Sequence, residues 1–302
     1  MEEPVCFENE GQVLRGILHA PDRDGPGSRQ GIIILNGWSG CRIGPHRMFV
    51  KAARRFCDEG YACLRFDFRG RGESGGVTAE ATIRSMVSDT RCAMDLLLSR
   101  MPSRTIVLLA ICSGCKVAIG ATSSDVRPAA LALWSAEPMG GLRGAADNTR
   151  KSWYALRQYA RKAIRLQTWR KILSLKVNTR LVGKALLDHE TAGEAERKEE
   201  SVMLGRFRRG FNGRMLFIHG SHDPETKGAA ANYARFCRDA RIEAEQHEIA
   251  GANHSFYSLA WEEEVINLTE RWLLSLQGAL REVLPLAQGR QMDQGMRRCA
   301  HS

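Results

Sequence analysis

The strongest constraint on how this chain folds is a series of short, continuous apolar runs. Gly31-Ile-Ile-Ile-Leu-Asn36 is the clearest of them, an unbroken β-branched stretch that suits a strand covered on both faces. Similar runs occupy Tyr61 to Phe66, Thr105 to Ile111, Ala129 to Trp134 and Arg214 to His219, and a more polar one spans Glu243 to Ile249. Near the start, Gln12 to His19 alternates well enough for a strand. Residues 46 to 59, 78 to 100, 115 to 123, 227 to 240 and 261 to 281 instead carry apolar positions three and four apart, as Ile83, Met86, Val87, Met94 and Leu97 do. Strand and helix alternate, so the expected class is α/β with a doubly wound, mostly parallel sheet.

The alternation stops between about residues 137 and 210, where Trp153, Leu156, Ala160, Ile164, Trp169, Ile172 and Leu173 recur at helical spacing. This reads as an inserted helical cap, with the tryptophans in its core rather than on a ligand. The cap is also basic. Arg143 to Lys184 holds twelve basic residues against one acid, Asp147, a net +11 that exceeds the whole chain's formal excess of +10. The expected division is a first core part at 1–136, the cap at 137–210, a second core part at 211–284 and a disordered tail at 285–302.

Composition excludes several alternatives. A 302-residue chain with 43% hydrophobic and 26% charged residues is neither collagen, coiled coil nor wholly disordered. No apolar run reaches the roughly 18 to 20 residues of a membrane span, and Met1-Glu-Glu-Pro4 is acidic where a secretory signal is basic, so a cytoplasmic location is expected. Nine scattered cysteines read as free thiols in a reducing compartment. Cys112 and Cys115 form a CxxC, but nothing else sits at zinc spacing, and neither a metal nor a cofactor is expected.

The chemistry gathers where Thr105 to Ile111 runs into Cys112-Ser113-Gly114 and an apolar helical stretch. A nucleophile on so sharp a strand-to-helix turn crowds the residues two before and two after it, and Ala110 and Gly114 are both small. Centring the turn on Ser113 would place Ile111 and Cys115 at those positions, so Cys112 is preferred. A helix N-terminus beneath it favours a thiolate. Further on, Asp223 follows the run Met215 to His219, and His254 follows Glu243 to Ile249. Two alternatives are weighed: His222 as the imidazole, and Glu137, after the preceding strand, as the acid. Upstream, the backbone N–H of Trp38 stands where an oxyanion donor is expected, with the N–H of Ser113 as the second.

With these motifs in place the chain resembles the α/β hydrolases. Arg65-Phe-Asp67-Phe-Arg-Gly70-Arg-Gly72-Glu-Ser74 is similar to their D-x-R-G-x-G-x-S loop. His219-Gly-Ser-His-Asp223 and Gly251-Ala-Asn-His254 are similar to their acid and base motifs. The resemblance covers roughly residues 10 to 282, and it implies the chain order nucleophile, acid, base that Cys112, Asp223 and His254 follow. Cysteine in place of serine is shared with dienelactone hydrolases and polyhydroxyalkanoate synthases. The cap segment Trp169 to Asn178 is similar to hydrolases of exosortase and exopolysaccharide loci. Asp67 and Arg69 are expected to brace their loop, a tight turn with a buried ion pair.

The expected function is cleavage of an ester or thioester by a Cys112-His254-Asp223 triad through an acyl-cysteine intermediate. The alternatives are an acyltransferase passing the acyl group from Cys112 to an amine or alcohol, and a non-catalytic binding protein on the same fold. The basic cap points to an anionic small-molecule or carrier-bound acyl substrate, steered by Arg157, Arg161 and Arg165. A peripheral membrane contact fits the same charge. No nucleic-acid signature accompanies it, and no motif bears on oligomeric state.

Overall fold

A computed structural model of the chain describes residues 1–22, 25, 30–100, 105–142 and 179–276, with backbone alone over 179–194. Residues 143–178 of the cap expected at 137–210, among them Trp153, Trp169, Arg157, Arg161 and Arg165, and the expected tail at 285–302 lie outside the described residues.

Eight strands form one sheet: β1 (Glu2–Asn9), β2 (Gln12–His19), β3 (Gln30–Leu35), β4 (Ala62–Phe66), β5 (Thr105–Ile111), β6 (Pro128–Trp134), β7 (Arg214–Gly220) and β8 (Glu243–Ile249). Their spatial order is β1-β2-β4-β3-β5-β6-β7-β8. The first two strands pair antiparallel with each other, β2 pairs antiparallel with β4, and every pairing from β4 to β8 is parallel. This is the α/β class expected. The apolar runs become central strands because each residue has a layer waiting for it. On β3, Ile33 and Leu35 face one core layer and Ile32 and Ile34 the other; on β5, Leu108 and Ala110 are divided in the same way from Val107 and Leu109.

The helices are α1 (Met48–Asp58), α2 (Ile83–Arg100), α3 (Gly114–Ser124), α4 (Thr179–Gly210), α5 (Ala229–Ala240) and α6, over 259–276. Phe49 and Phe56 of α1 and Val265, Trp272 and Leu273 of α6 cover one face of the sheet. Met86, Met94, Val117, Leu204, Phe207 and Tyr233, from α2, α3, α4 and α5, cover the other. No helix among the described residues is long and apolar enough to cross a membrane.

β1 is the strand that the sequence pattern did not suggest. Most of its side chains are exposed or half-buried, and it carries Pro4, which an edge position tolerates because one side of its backbone needs no partner.

The loop after β4 is braced by charge, though Asp67 and Arg69 are not each other's partners. Arg69 forks onto Asp89 of α2 with bonds of 2.7 to 3.2 Å and reaches Glu10 at 2.8 Å. Asp67 is fully buried and pairs with Arg42 while accepting the Glu73 N–H at 3.0 Å. A second buried pair ties the core to α4: Lys116 of α3 meets Glu200 at 2.7 Å, and Glu200 also accepts the Gly140 N–H at 2.6 Å.

In this order the direction in which successive parallel strands are added reverses at β3, which has β4 on one side and β5 on the other. That leaves a crevice at the carboxyl ends of β3 and β5, where the loops carrying Trp38 and Cys112 meet.

Candidate active site

Only Cys112 and Ser113 separate β5 from α3, so the chain must turn within two residues. The strain falls on Cys112, whose φ of 57° lies in the left-handed region that side chains avoid, whereas Ser113 at −63° is already helical. Such a residue costs on the order of 1 to 3 kcal/mol and persists only where its surroundings fix it. Here they do. The Cys112 N–H donates to the Trp134 carbonyl at 3.0 Å, and the Cys115 N–H donates back to the Cys112 carbonyl at 3.0 Å. Ala110 is fully buried, and a Cβ on Gly114 would stand 2.6 Å from the Asn36 carbonyl oxygen and 2.8 Å from that of Leu35. The crowding that the motif implied is therefore physical. Cys115, by contrast, is buried with its thiol on the Ala110 and Trp134 carbonyls, and burial pushes its pKa well up.

The loops after β7 and β8 bring Asp223 and His254 together. His254 Nδ1 lies 2.7 Å from Asp223 Oδ2. The carboxylate also accepts the Thr226 hydroxyl at 2.8 Å and the Glu225 N–H at 2.9 Å. The Ser135 hydroxyl holds the His254 carbonyl at 2.8 Å, which fixes the backbone that carries the ring. Burial opposes a charge on the ring, but the bond to Asp223 and the charges of Cys112 and Asp223 outweigh it and push the His254 pKa up to about 11. Burial likewise works against the Asp223 carboxylate, yet the His254 bond and charge, followed by Thr226 and Glu225, hold it below its ordinary value.

Of the two alternatives weighed from sequence, one lies at the surface and the other beside the sulfur. The His222 side chain is exposed. Glu137 is buried, and its carboxylate accepts the Cys112 S–H at 3.5 Å, so this acid stands against the sulfur. Glu225 approaches from the other side, with Oε2 at 3.7 Å from His254 Nε2. The sulfur of Cys112, the ring nitrogen of His254 and one oxygen each of Glu137 and Glu225 all lie within 4.8 Å of one another. His254 Nε2 itself is buried and has no hydrogen-bond partner among the described residues.

At the mouth of the site, Gly37 lets the loop after β3 approach closely, for a Cβ there would be 3.2 Å from that of Cys112. The Trp38 N–H donates to the Ser113 hydroxyl at 2.7 Å, so that hydroxyl must turn aside before the Trp38 N–H can serve a developing oxyanion. Above the Trp38 ring, at 4.8 Å from its centroid, lies the guanidinium of Arg71. Arg71 is only 7% exposed, its Nη1 reaches the Gly70 and Thr78 carbonyls at 3.4 Å, and its Nε and Nη2 have no partner among the described residues.

Sequence reasoning missed Glu225 and Arg71. The signal for Glu225 was its place two residues past Asp223 in a Pro-containing turn. For Arg71 it was a second arginine in a loop whose braces need only one.

Comparison with known proteins follows the geometry. Residues 32–268 match the model of a family described as the alpha/beta hydrolase family. Among solved structures, the chain is similar to the alpha/beta hydrolase GrgF from Penicillium sp. sh18 at 16% identity and a TM-score of 0.60, covering 90% of this chain and 98% of that one. It is similar to Est1E from Butyrivibrio proteoclasticus, with ferulic acid bound, at 16% identity and a TM-score of 0.60, with coverage of 90% and 98%. The Pyrococcus furiosus esterase Pf2001 is similar at 18% identity and a TM-score of 0.56, with coverage of 90% and 93%. At these identities the likenesses speak for the fold alone. No curated protein matches the chain.

Proposed function

The chain belongs to the alpha/beta hydrolase family, and from that premise we propose that it cleaves an ester or thioester through Cys112, His254 and Asp223. The observation that carries this reading is the strained Cys112 at the turn between β5 and α3, facing an imidazole already held by a buried carboxylate. Pf2001, with which the chain shares its fold, is an esterase by its description.

In this mechanism His254 takes the thiol proton as the sulfur attacks, and its raised pKa favours the imidazolium so formed. Asp223 fixes the ring with Nδ1 toward itself and stabilises its positive charge. The sulfur adds to the substrate carbonyl. The oxyanion is received by the Ser113 N–H at the start of α3 and by the Trp38 N–H once the Ser113 hydroxyl has turned away. Collapse expels the leaving group, which takes its proton from His254, and leaves an acyl-cysteine. Water, deprotonated by His254, then attacks that thioester and frees Cys112.

An anionic substrate fits two features. The segment Arg143 to Lys184 is strongly basic. Arg71, buried beside Trp38 without an acid partner among the described residues, offers two N–H groups that a carboxylate or phosphate would satisfy. Arg157, Arg161 and Arg165 are proposed to steer such a substrate inward.

The test is turnover of activated esters and acyl thioesters by the wild type and by Cys112→Ala, with circular dichroism as a check on folding. Loss of all turnover in a folded variant is the expected result, and unchanged hydrolysis would refute the assignment. Offering an amine or alcohol alongside water, and measuring the product ratio, separates hydrolysis from acyl transfer.

A further inference from the structure

We propose that Cys112, Glu137, Glu225 and His254 bind one divalent cation of the zinc class, and that this cation competes with the acyl substrate. Binding of the cation stands on the cluster's geometry; competition also rests on Cys112 being the nucleophile.

The four side chains offer one sulfur, one nitrogen and two oxygens within 4.8 Å of one another. Zinc bonds of about 2.3 Å to sulfur and about 2.0 to 2.1 Å to nitrogen and oxygen give a tetrahedron whose edges are roughly 3.3 to 3.6 Å. Two edges are nearly that length already: Cys112 Sγ to Glu137 Oε1 is 3.5 Å, and His254 Nε2 to Glu225 Oε2 is 3.7 Å. The remaining separations are no longer than 4.8 Å and close with about 1 Å of side-chain movement shared among the four groups, of which Glu225, 41% exposed, is the freest to move.

The ring is also correctly presented. Asp223 on Nδ1 leaves Nε2 as the free donor, the arrangement of carboxylate, histidine and metal that orients a ligand and raises its basicity. That Nε2 is buried and unpartnered among the described residues, which a metal bond would relieve. Charge points the same way, since a thiolate and two carboxylates this close repel one another unless a cation joins them. A thiolate with an imidazole selects zinc-class ions over magnesium or calcium.

Coordination breaks the Cys112 S–H bond and forms a metal–sulfur bond, and the proton goes to solvent; an imidazolium gives up its Nε2 proton in the same way. While bound, the sulfur cannot attack a carbonyl and Nε2 cannot take a proton.

The test titrates Zn²⁺ into the full, chelator-stripped chain by calorimetry and follows Co²⁺ binding by its thiolate charge-transfer absorption. One ion per chain and a charge-transfer band are expected. Cys112→Ala should abolish the band, and Glu137→Gln and Glu225→Gln should each weaken Zn²⁺ binding about 10-fold or more while leaving Cys112 open to alkylation. A band that survives in Cys112→Ala, affinity unchanged in both glutamate variants, or no binding by folded chain would overturn the proposal. Stoichiometric Zn²⁺ without any acyl adduct would sink the hydrolase reading and spare this site; an acyl adduct without Zn²⁺ binding would do the reverse.

Discussion

Asp223 holds the His254 ring by a 2.7 Å contact between Oδ2 and Nδ1, and the two residues come from loops after adjacent strands. The contact affects stability as well as orientation. The His254 pKa rises from 6.5 to about 11 on folding, so between these values the folded chain holds a proton that the unfolded chain has released. The stabilisation is therefore complete below about pH 6.5 and lost as pH rises through about 11. Asp223 behaves oppositely, its contribution being present above its ordinary value and lost as pH falls through its depressed one. Asp223→Asn should lower the Tm most near neutral pH, with the gap to wild type narrowing toward pH 11. It should also cut kcat by about 10³ to 10⁴, by analogy with the wrong-tautomer effect in serine triads. A pH series of thermal melts beside kinetics checks both.

Arg71 separates charged from neutral substrates. Arg71→Gln should raise KM about 10-fold for an ester bearing a second carboxylate and leave an uncharged ester of similar size unchanged, with kcat little affected for either. Equal losses on both esters would assign Arg71 a role in the loop rather than in recognition.

The pair Lys116–Glu200 joins α3, the helix after Cys112, to α4. Both side chains are buried, so Glu200→Ala strands a lysine charge and should cost about 3 to 5 kcal/mol in urea unfolding. Replacing both residues by leucine should recover much of that loss.

Gly114→Ala adds a Cβ 2.6 Å from a backbone oxygen that cannot move without shifting β3. A loss of about 1 to 3 kcal/mol is expected on denaturation, together with lower activity. A variant as stable and active as wild type would mean that the turn is looser than described.

Much of the fold was legible because its central strands are buried twice over. Ile32 to Leu35 and Val107 to Ile111 are buried at every position, so each position calls for an apolar residue. β1 was not legible because an edge strand with Glu2, Glu3 and Pro4 has no continuous apolar demand to display. Cys112, Asp223 and His254 were readable from motif and chain order, since each lies just past a readable strand. Glu137 was weighed as a partner for histidine, but which group an acid meets depends on the height of its loop, and sequence does not encode that. Arg71 and Glu225 were hidden for a related reason: each follows a residue with an obvious structural task.

The most direct test is intact-mass analysis after brief mixing with activated esters and acyl-CoA thioesters. The expected result is a rapid gain of one acyl group on the wild type, its absence in Cys112→Ala, and a longer-lived adduct when His254 is replaced. Adduct formation unchanged in Cys112→Ala, or no adduct and no turnover with any donor by folded chain whose Cys112 is alkylatable, would contradict acyl transfer through this cysteine.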